Sequence, residues 1–223
     1  LKAFAKAELG LDPLQPWDVA YASEKLRESR YDHSDQEVKQ YFPEPRVLDG
    51  LFGVIRALYG VDILPDEAPS WDPDTRFFRI EKASATGSEL VGHFYLDLHA
   101  RPTKRGGAWM DSARSRHRTA HGSETPVAYL VCNFPSAVGG KPATFTHDDV
   151  LTLFHECGHG LHHLLTKVEG LAVSGINGVE WDAVELPSQF MENWCWERQA
   201  LDVLARHYET GAPLPEELYR KMI

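Results

Sequence analysis

The fold is decided by residues 146–168, which read THDDVLTLFHECGHGLHHLLTKV. Apolar residues recur there every three or four positions, so the stretch predicts an α-helix with one side in the core. Thr146 is the predicted N-cap, and Asp148 and Asp149 follow in the first turn, where the helix dipole favours negative charge. The other side of the helix is polar, and it carries an H-E-x-x-H motif.

The motif is formed by His155, Glu156 and His159. The two histidines lie one turn and about 40° apart on a helix, so both imidazoles can reach one cation. A catalytic zinc takes three protein ligands and keeps one position open for water, so a third ligand is required. Glu156 lies on the same side and can take a proton from the attacking water and pass it to a leaving amine. The sequence predicts a zinc site with Glu156 as the general base.

Acidic residues beyond this helix supply the candidates for the third ligand, which are Glu180, Asp182, Glu185 and Glu192. A second helix is predicted from about Asp182 or Val184 to Leu201, with Pro187 in its first turn. A ligand on the first turn of a packed helix is held rigidly. This position favours Glu185.

The remaining acids have other predicted roles. Asp182 is expected to cap the second helix or to orient a ligating histidine by accepting its free ring N–H. Glu192, further along, is expected to be solvated or to lie behind a ligand. His162 falls within about 20° of His155 on the helical wheel and is interpreted as a pocket or supporting histidine rather than a ligand.

Two glycines and a cysteine also lie on the motif helix. Gly158 and Gly160 each cost a helix about 1 kcal/mol relative to alanine, which predicts close packing of another segment or of a substrate. Cys157 points about 200° away from His155 and is therefore predicted to be a core residue.

Composition excludes several classes of partner. The net charge of −10 over 223 residues argues against a nucleic-acid partner, and no apolar run long enough to cross a membrane is present. The one basic run, 104–118, is interpreted as a solvated loop rather than an anion site. Three cysteines without metal-site spacing favour a reducing cytoplasm. The chain starts inside a predicted helix and stops just after another begins, which is typical of a fragment.

The chain is expected to form an α+β fold that is predominantly α-helical. Residues 1–70 are predicted to be a helical segment, 71–145 a small sheet with loops, and 146–223 the helices of the zinc site. The strands are predicted at 77–83, 90–98 and 127–134 from their β-branched and aromatic residues. The last of these is expected to be an ordinary core strand, or else an edge strand that binds an extended peptide.

The motif helix together with Ser174–Gly178 and Trp181–Trp194 resembles the thimet oligopeptidase and neurolysin family of zinc metallopeptidases, and most of all its bacterial oligopeptidase A group. Gly92–Leu98 and Gly106–Met110 agree with that family as well. The resemblance implies a cytoplasmic zinc endopeptidase for short unfolded peptides, with a zincin-type helix pair beside a small sheet in a larger, mostly helical clamshell.

The resemblance also implies roles for single residues. His155, His159 and Glu185 match the ligands of one Zn²⁺ ion, and Glu156 matches the catalytic base. Cys157 departs from the family, whose members usually carry phenylalanine there. Family members are longer, and the tyrosines and histidine that stabilise their oxyanion would follow Ile223, so 1–223 is expected to be a catalytic-region fragment that alone can be inactive. The alternative is a non-catalytic peptide-binding fragment that retains a zinc site.

Overall fold

The computed structural model describes residues 1–31, 35–85 and 87–223. Within these ranges the helices are α1 (Lys2–Leu9), α2 (Val19–Tyr31), α3 (Asp35–Val38), α4 (Glu44–Tyr59), α5 (His147–Leu164), α6 (Leu186–Glu192), α7 (Arg198–Leu204) and α8 (Glu216–Met222). The strands are β1 (Val61–Asp66), β2 (Arg76–Ser84), β3 (Gly87–His99), β4 (Trp109–Arg114), β5 (His117–Thr119), β6 (Gly122–Glu124) and β7 (Val127–Phe134). The predicted α+β class is confirmed.

A five-stranded sheet supports the rest of the fold, with the strand order β1-β2-β3-β7-β4. β7 runs parallel to β3, and the other neighbouring pairs are antiparallel. β7 therefore lies inside the sheet, as its nearly continuous burial also indicates. The core-strand interpretation of 127–134 is confirmed and the edge-strand alternative is wrong, because β4 covers the outer side of β7.

The basic run 104–118 is not a solvated loop, so that interpretation is wrong. It contains β4, and its first residue, Lys104, has a side chain only 4% exposed that pairs with Asp97. Arg116 and Arg118 both pair with Glu169. Four cations of the run therefore have acidic partners, and Ala108 and Met110 pack against the core.

The motif helix α5 packs on the sheet through its apolar side. Leu153, Phe154, Leu161 and Leu164 are all buried there, and each such side chain contributes about 1.5–3 kcal/mol by leaving water. The predicted cap is present, since Thr146 Oγ1 accepts the Asp149 N–H at 3.1 Å and Asp149 returns the bond to the Thr146 N–H at 2.9 Å. α5 contacts β7, β4 and β3 of the sheet, and it also contacts α6.

The second predicted helix is shorter and interrupted. α6 begins at Leu186, a 3-10 turn covers Asn193–Cys195, and α7 begins at Arg198. The carbonyl of Cys195 accepts a hydrogen bond from His147 Nε2 at 2.8 Å instead of continuing the helix, and Glu197 is extended with φ −75° and ψ 124°. A tertiary contact with α5 thus accompanies the break, which local propensity did not predict. Among the described residues, no helix is both long and apolar enough to cross a bilayer.

Candidate metal centre

Two helices bring three ligand atoms to one point. Nε2 of His155 lies 3.2 Å from Glu185 Oε2, and Nε2 of His159 lies 3.1 Å from the same oxygen. Zinc bonds of about 2.0–2.2 Å in a tetrahedral shell separate neighbouring ligand atoms by about 3.3 Å. The three ligand atoms all lie within 4.8 Å of one another, so the observed spacing and the two-imidazole, one-carboxylate donor set fit a zinc ion.

Gly158 allows the close approach of α6 to α5. A Cβ at this position would lie 2.5 Å from the carbonyl oxygen of Pro187 and 2.6 Å from Cα of Ser188, so only glycine leaves room for the α6 backbone. Gly160 faces the Leu130 side chain of β7, where a Cβ would come within 2.9 Å. The predicted close packing at both glycines is confirmed.

Glu185 occupies the N-cap position of α6 and is oriented by Ser188. The fully buried Ser188 hydroxyl lies 2.9 Å from Glu185 Oε2 and 2.8 Å from its carbonyl oxygen. Burial would raise the pKa of Glu185, but the Ser188 hydrogen bond and the interactions with the neighbouring His159 and His155 rings outweigh it and lower the pKa. Glu185 is therefore held as a charged carboxylate facing the two imidazoles, and Pro187 lies in the first turn as predicted.

Glu192 supports the first histidine from behind. Its Oε1 lies 2.6 Å from Nδ1 of His155, so this ring N–H donates to a carboxylate and leaves Nε2 free to bind a metal. Of the two roles left open for Glu192, the contact with a candidate ligand is therefore the observed one. Asp182 and Glu180 are both exposed in or before the turn that leads into α6. The N-cap position of α6 is Glu185, so the capping role of Asp182 is wrong, and its orienting role stays a prediction.

The second histidine is the most enclosed candidate ligand. His159 is 8% exposed, and burial lowers its pKa, which favours the neutral imidazole that a metal requires. His162 is partly exposed, and its Nδ1 is buried without a hydrogen-bond partner among the described residues. Its expected role beside the site stays a prediction.

Glu156 lies beside the candidate ligands and is 7% exposed. Burial raises its pKa and the neighbouring Glu185 adds to this rise, whereas the interaction with His155 and a hydrogen bond from the Met110 backbone in β4 lower the pKa. Glu156 is thus a buried carboxylate next to the candidate metal centre, and it is not needed as a fourth ligand. Its contact with β4 also fixes the edge strand relative to the site.

His163 is a structural contact that the sequence interpretation missed. It is fully buried, and its Nε2 lies 3.0 Å from the carbonyl oxygen of Arg114 at the end of β4. Gly175 has a φ of 63°, and a Cβ there would lie 2.5 Å from His163 Nδ1. His163 therefore joins α5 to the edge strand and to the glycine loop. The sequence does place His163 one helical turn after His159, which could have indicated a role near the site. Nothing in the sequence indicated that the Met110 backbone contacts Glu156.

Comparison with known proteins agrees with this geometry. The chain is 57% identical to oligopeptidase A of Escherichia coli and 51% identical to that of Haemophilus influenzae, in both cases over its whole length and 33% of the relative. It is 48% identical to the organellar oligopeptidase A of Arabidopsis thaliana, again over its whole length and 29% of the relative. The chain thus spans about a third of these relatives, and all of residues 1–223 match the M3 peptidases. This match confirms the resemblance, and the chain belongs to peptidase family M3.

Proposed function

We propose that this chain carries the catalytic centre of a zinc-dependent endopeptidase that hydrolyses short unfolded oligopeptides. The observation that carries the proposal is the convergence of His155, His159 and Glu185, with Glu156 beside them and not needed as a ligand. Membership of a peptidase family and relatives named as oligopeptidases support the substrate class.

In the proposed mechanism each residue has a separate task. A zinc ion held by the three ligands would polarise the scissile carbonyl and lower the pKa of the attacking water. Glu156 accepts a proton from that water on its carboxylate and then delivers the proton to the leaving amine nitrogen. Glu192 and Ser188 hold His155 and Glu185 in orientation, which lets the site keep its geometry through the reaction.

We propose that β4, the outer strand of the sheet, aligns the substrate. The Met110 N–H interacts with Glu156, so it points away from β7, and the backbone groups of Ser112 share this orientation because strand residues alternate. An extended peptide can pair with these outward groups as an additional strand. The main chain of the peptide would then run past Glu156. In this proposal β4 binds the peptide, because β7 lies inside the sheet.

We also propose that the protein works in the cytoplasm. Cys132, Cys157 and Cys195 are free and buried, and burial raises the pKa of the Cys157 thiol to about 12. Three unpaired thiols are typical of a reducing compartment. Among the relatives, one Arabidopsis protein is named as a probable cytosolic oligopeptidase, while another is named as chloroplastic and mitochondrial.

The test is Glu156→Gln in the native protein, with Glu180→Gln as the matched control. Glu180 is an exposed glutamate in the same region and is not assigned to the site. Glu156→Gln is expected to retain one zinc per chain and to lose about 10²–10⁴-fold in peptide turnover, because the general base is removed. The control should match the unsubstituted protein. Near-normal turnover by Glu156→Gln would reject Glu156 as the base, and peptide binding without cleavage by the unsubstituted, zinc-loaded protein would favour the non-catalytic alternative.

A further inference from the structure

A buried ion cluster lies at the end of β3, centred on Asp97. The residue is only 3% exposed. The Arg101 guanidinium donates to both of its oxygens at 2.8 and 2.9 Å. Trp71 Nε1 donates at 3.0 Å and Lys104 Nζ at 2.8 Å. This carboxylate therefore accepts four hydrogen bonds, although it belongs to no part of the metal centre.

The Lys104 ammonium group, like the Asp97 carboxylate, has all of its hydrogen bonds made. Its ammonium group also lies 2.9 Å from the carbonyl oxygens of Asp97 and His99, so all three of its protons have acceptors. Burial would raise the pKa of Asp97, but hydrogen bonds from Arg101, Lys104 and Trp71 hold it at about 2. Buried charges are costly unless every donor and acceptor is paired, as it is here. We call this cluster the tether, because it joins Asp97 of β3 to Lys104.

The tether lies on the segment that leads into the edge strand. Four residues separate Lys104 from Trp109, the first residue of β4. Asn133 of β7 holds the backbone between them, because its Nδ2 donates to the carbonyl oxygens of Arg105 at 2.8 Å and Gly107 at 2.7 Å. The path of the chain into β4 is thus fixed by a buried ion pair and a side-chain amide.

We propose that Asp97 and Lys104 are positioning residues that hold β4 in the register at which its outward backbone groups bind an extended peptide. The inference rests on the proposed function and deepens it. The cluster acts through the segment 104–108 on the strand that contacts Glu156, and it needs no contact with the substrate. Its loss should let β4 shift relative to α5, so that main-chain pairing with the peptide weakens.

The test uses a paired substitution, since Asp97→Asn alone would leave the Lys104 charge buried and unpaired and can unfold the protein. Asp97→Asn combined with Lys104→Gln removes both charges and keeps polar groups of similar size. Arg101 remains paired with Asp72, at 3.4 Å. The matched control is Arg79→Gln with Glu81→Gln, which removes a 2.7 Å ion pair from β2, a strand that does not neighbour β4.

Each protein is loaded with zinc and assayed on two peptides. One is an ordinary extended peptide, and the other carries a single N-methyl group at the main-chain N–H next to the cleaved bond. In the paired variant KM is expected to rise about tenfold, as the loss of one or two backbone hydrogen bonds implies, while kcat stays within about twofold. The penalty for N-methylation should shrink, because the variant pairs less with that N–H. Zinc content and the control should be unchanged.

A merely structural cluster gives a different pattern. KM equal to that of the unsubstituted protein, or a raised KM with an undiminished N-methyl penalty, would overturn the positioning role. Those results would leave the proposed peptidase activity standing. Failure of the unsubstituted protein to cleave either peptide would instead refute the proposed function, and the positioning role with it.

Discussion

A single methyl group at position 158 is expected to weaken zinc binding at the proposed metal centre. In Gly158→Ala the new Cβ would lie 2.5 Å from the Pro187 carbonyl oxygen and 2.6 Å from Ser188 Cα, whereas ordinary contact begins at 3.4 Å. Both neighbours are backbone atoms, so α6 must retreat by about 0.9 Å, the difference between 3.4 and 2.5 Å. Glu185 precedes Pro187 by two residues and moves with it.

This shift is large compared with the tolerance of a metal site, because ligand distances must hold within about 0.2 Å. Zinc affinity is expected to fall by about 10–100-fold, the range seen when the support of a ligand is lost. The effect on folding is smaller. Overpacking costs about 1–3 kcal/mol, and exchange of glycine for alanine in a helix returns about 1 kcal/mol, so the variant should remain folded.

The assay is the zinc dissociation constant, measured by competition with a chromophoric chelator, together with thermal unfolding of the metal-free protein. Gly53→Ala is the matched control, because Gly53 lies in α4 and no atom comes within 4 Å of an added Cβ. The control should gain up to about 1 kcal/mol in stability and keep its zinc affinity. A folded Gly158→Ala protein that binds zinc within about twofold of the unsubstituted protein would refute the argument that this close approach places Glu185.

Two other variants test the supporting charges. Glu192→Gln keeps the shape of the side chain but removes the negative charge at His155 Nδ1, so zinc affinity should fall about tenfold in equilibrium dialysis, and an unchanged affinity would contradict this role. Asp97 has a pKa of about 2 in the folded protein against 3.8 for a free side chain, so it adds about 2 kcal/mol above pH 4. This stabilisation is lost as the pH falls through about 2. Urea unfolding between about pH 5 and 2 should therefore show a steeper loss than in the paired variant Asp97→Asn with Lys104→Gln, and equal slopes would exclude the contribution.

The sequence predicted the features that local spacing determines. The period of apolar residues and the predicted Thr146 cap define the start and the buried side of α5, and the four-residue spacing of His155 and His159 places both rings on one side. The close packing at Gly158 could also be predicted, because a glycine inside a helix needs a reason. Glu185 was favoured among four acids by helix geometry and then chosen by the family resemblance.

The features that the sequence did not predict depend on contacts between distant segments. The sequence interpretation places β4 in a solvated basic run, since nothing local shows that Lys104 reaches Asp97 or that β4 forms the outer strand of the sheet. β1 was not predicted either, because Pro65 interrupts a short apolar run that pairs with β2. The break after Cys195 reflects its bond to His147 rather than its own propensity.

The most direct measurement is anomalous diffraction at the zinc absorption edge from crystals of the native, zinc-loaded protein. One peak is expected about 2.0–2.2 Å from Nε2 of His155, Nε2 of His159 and a carboxylate oxygen of Glu185, with Glu156 beyond bonding distance. A peak bound by Glu156 in place of Glu185, or one that lies away from the two imidazoles, would contradict the assignment of the metal centre and of the general base.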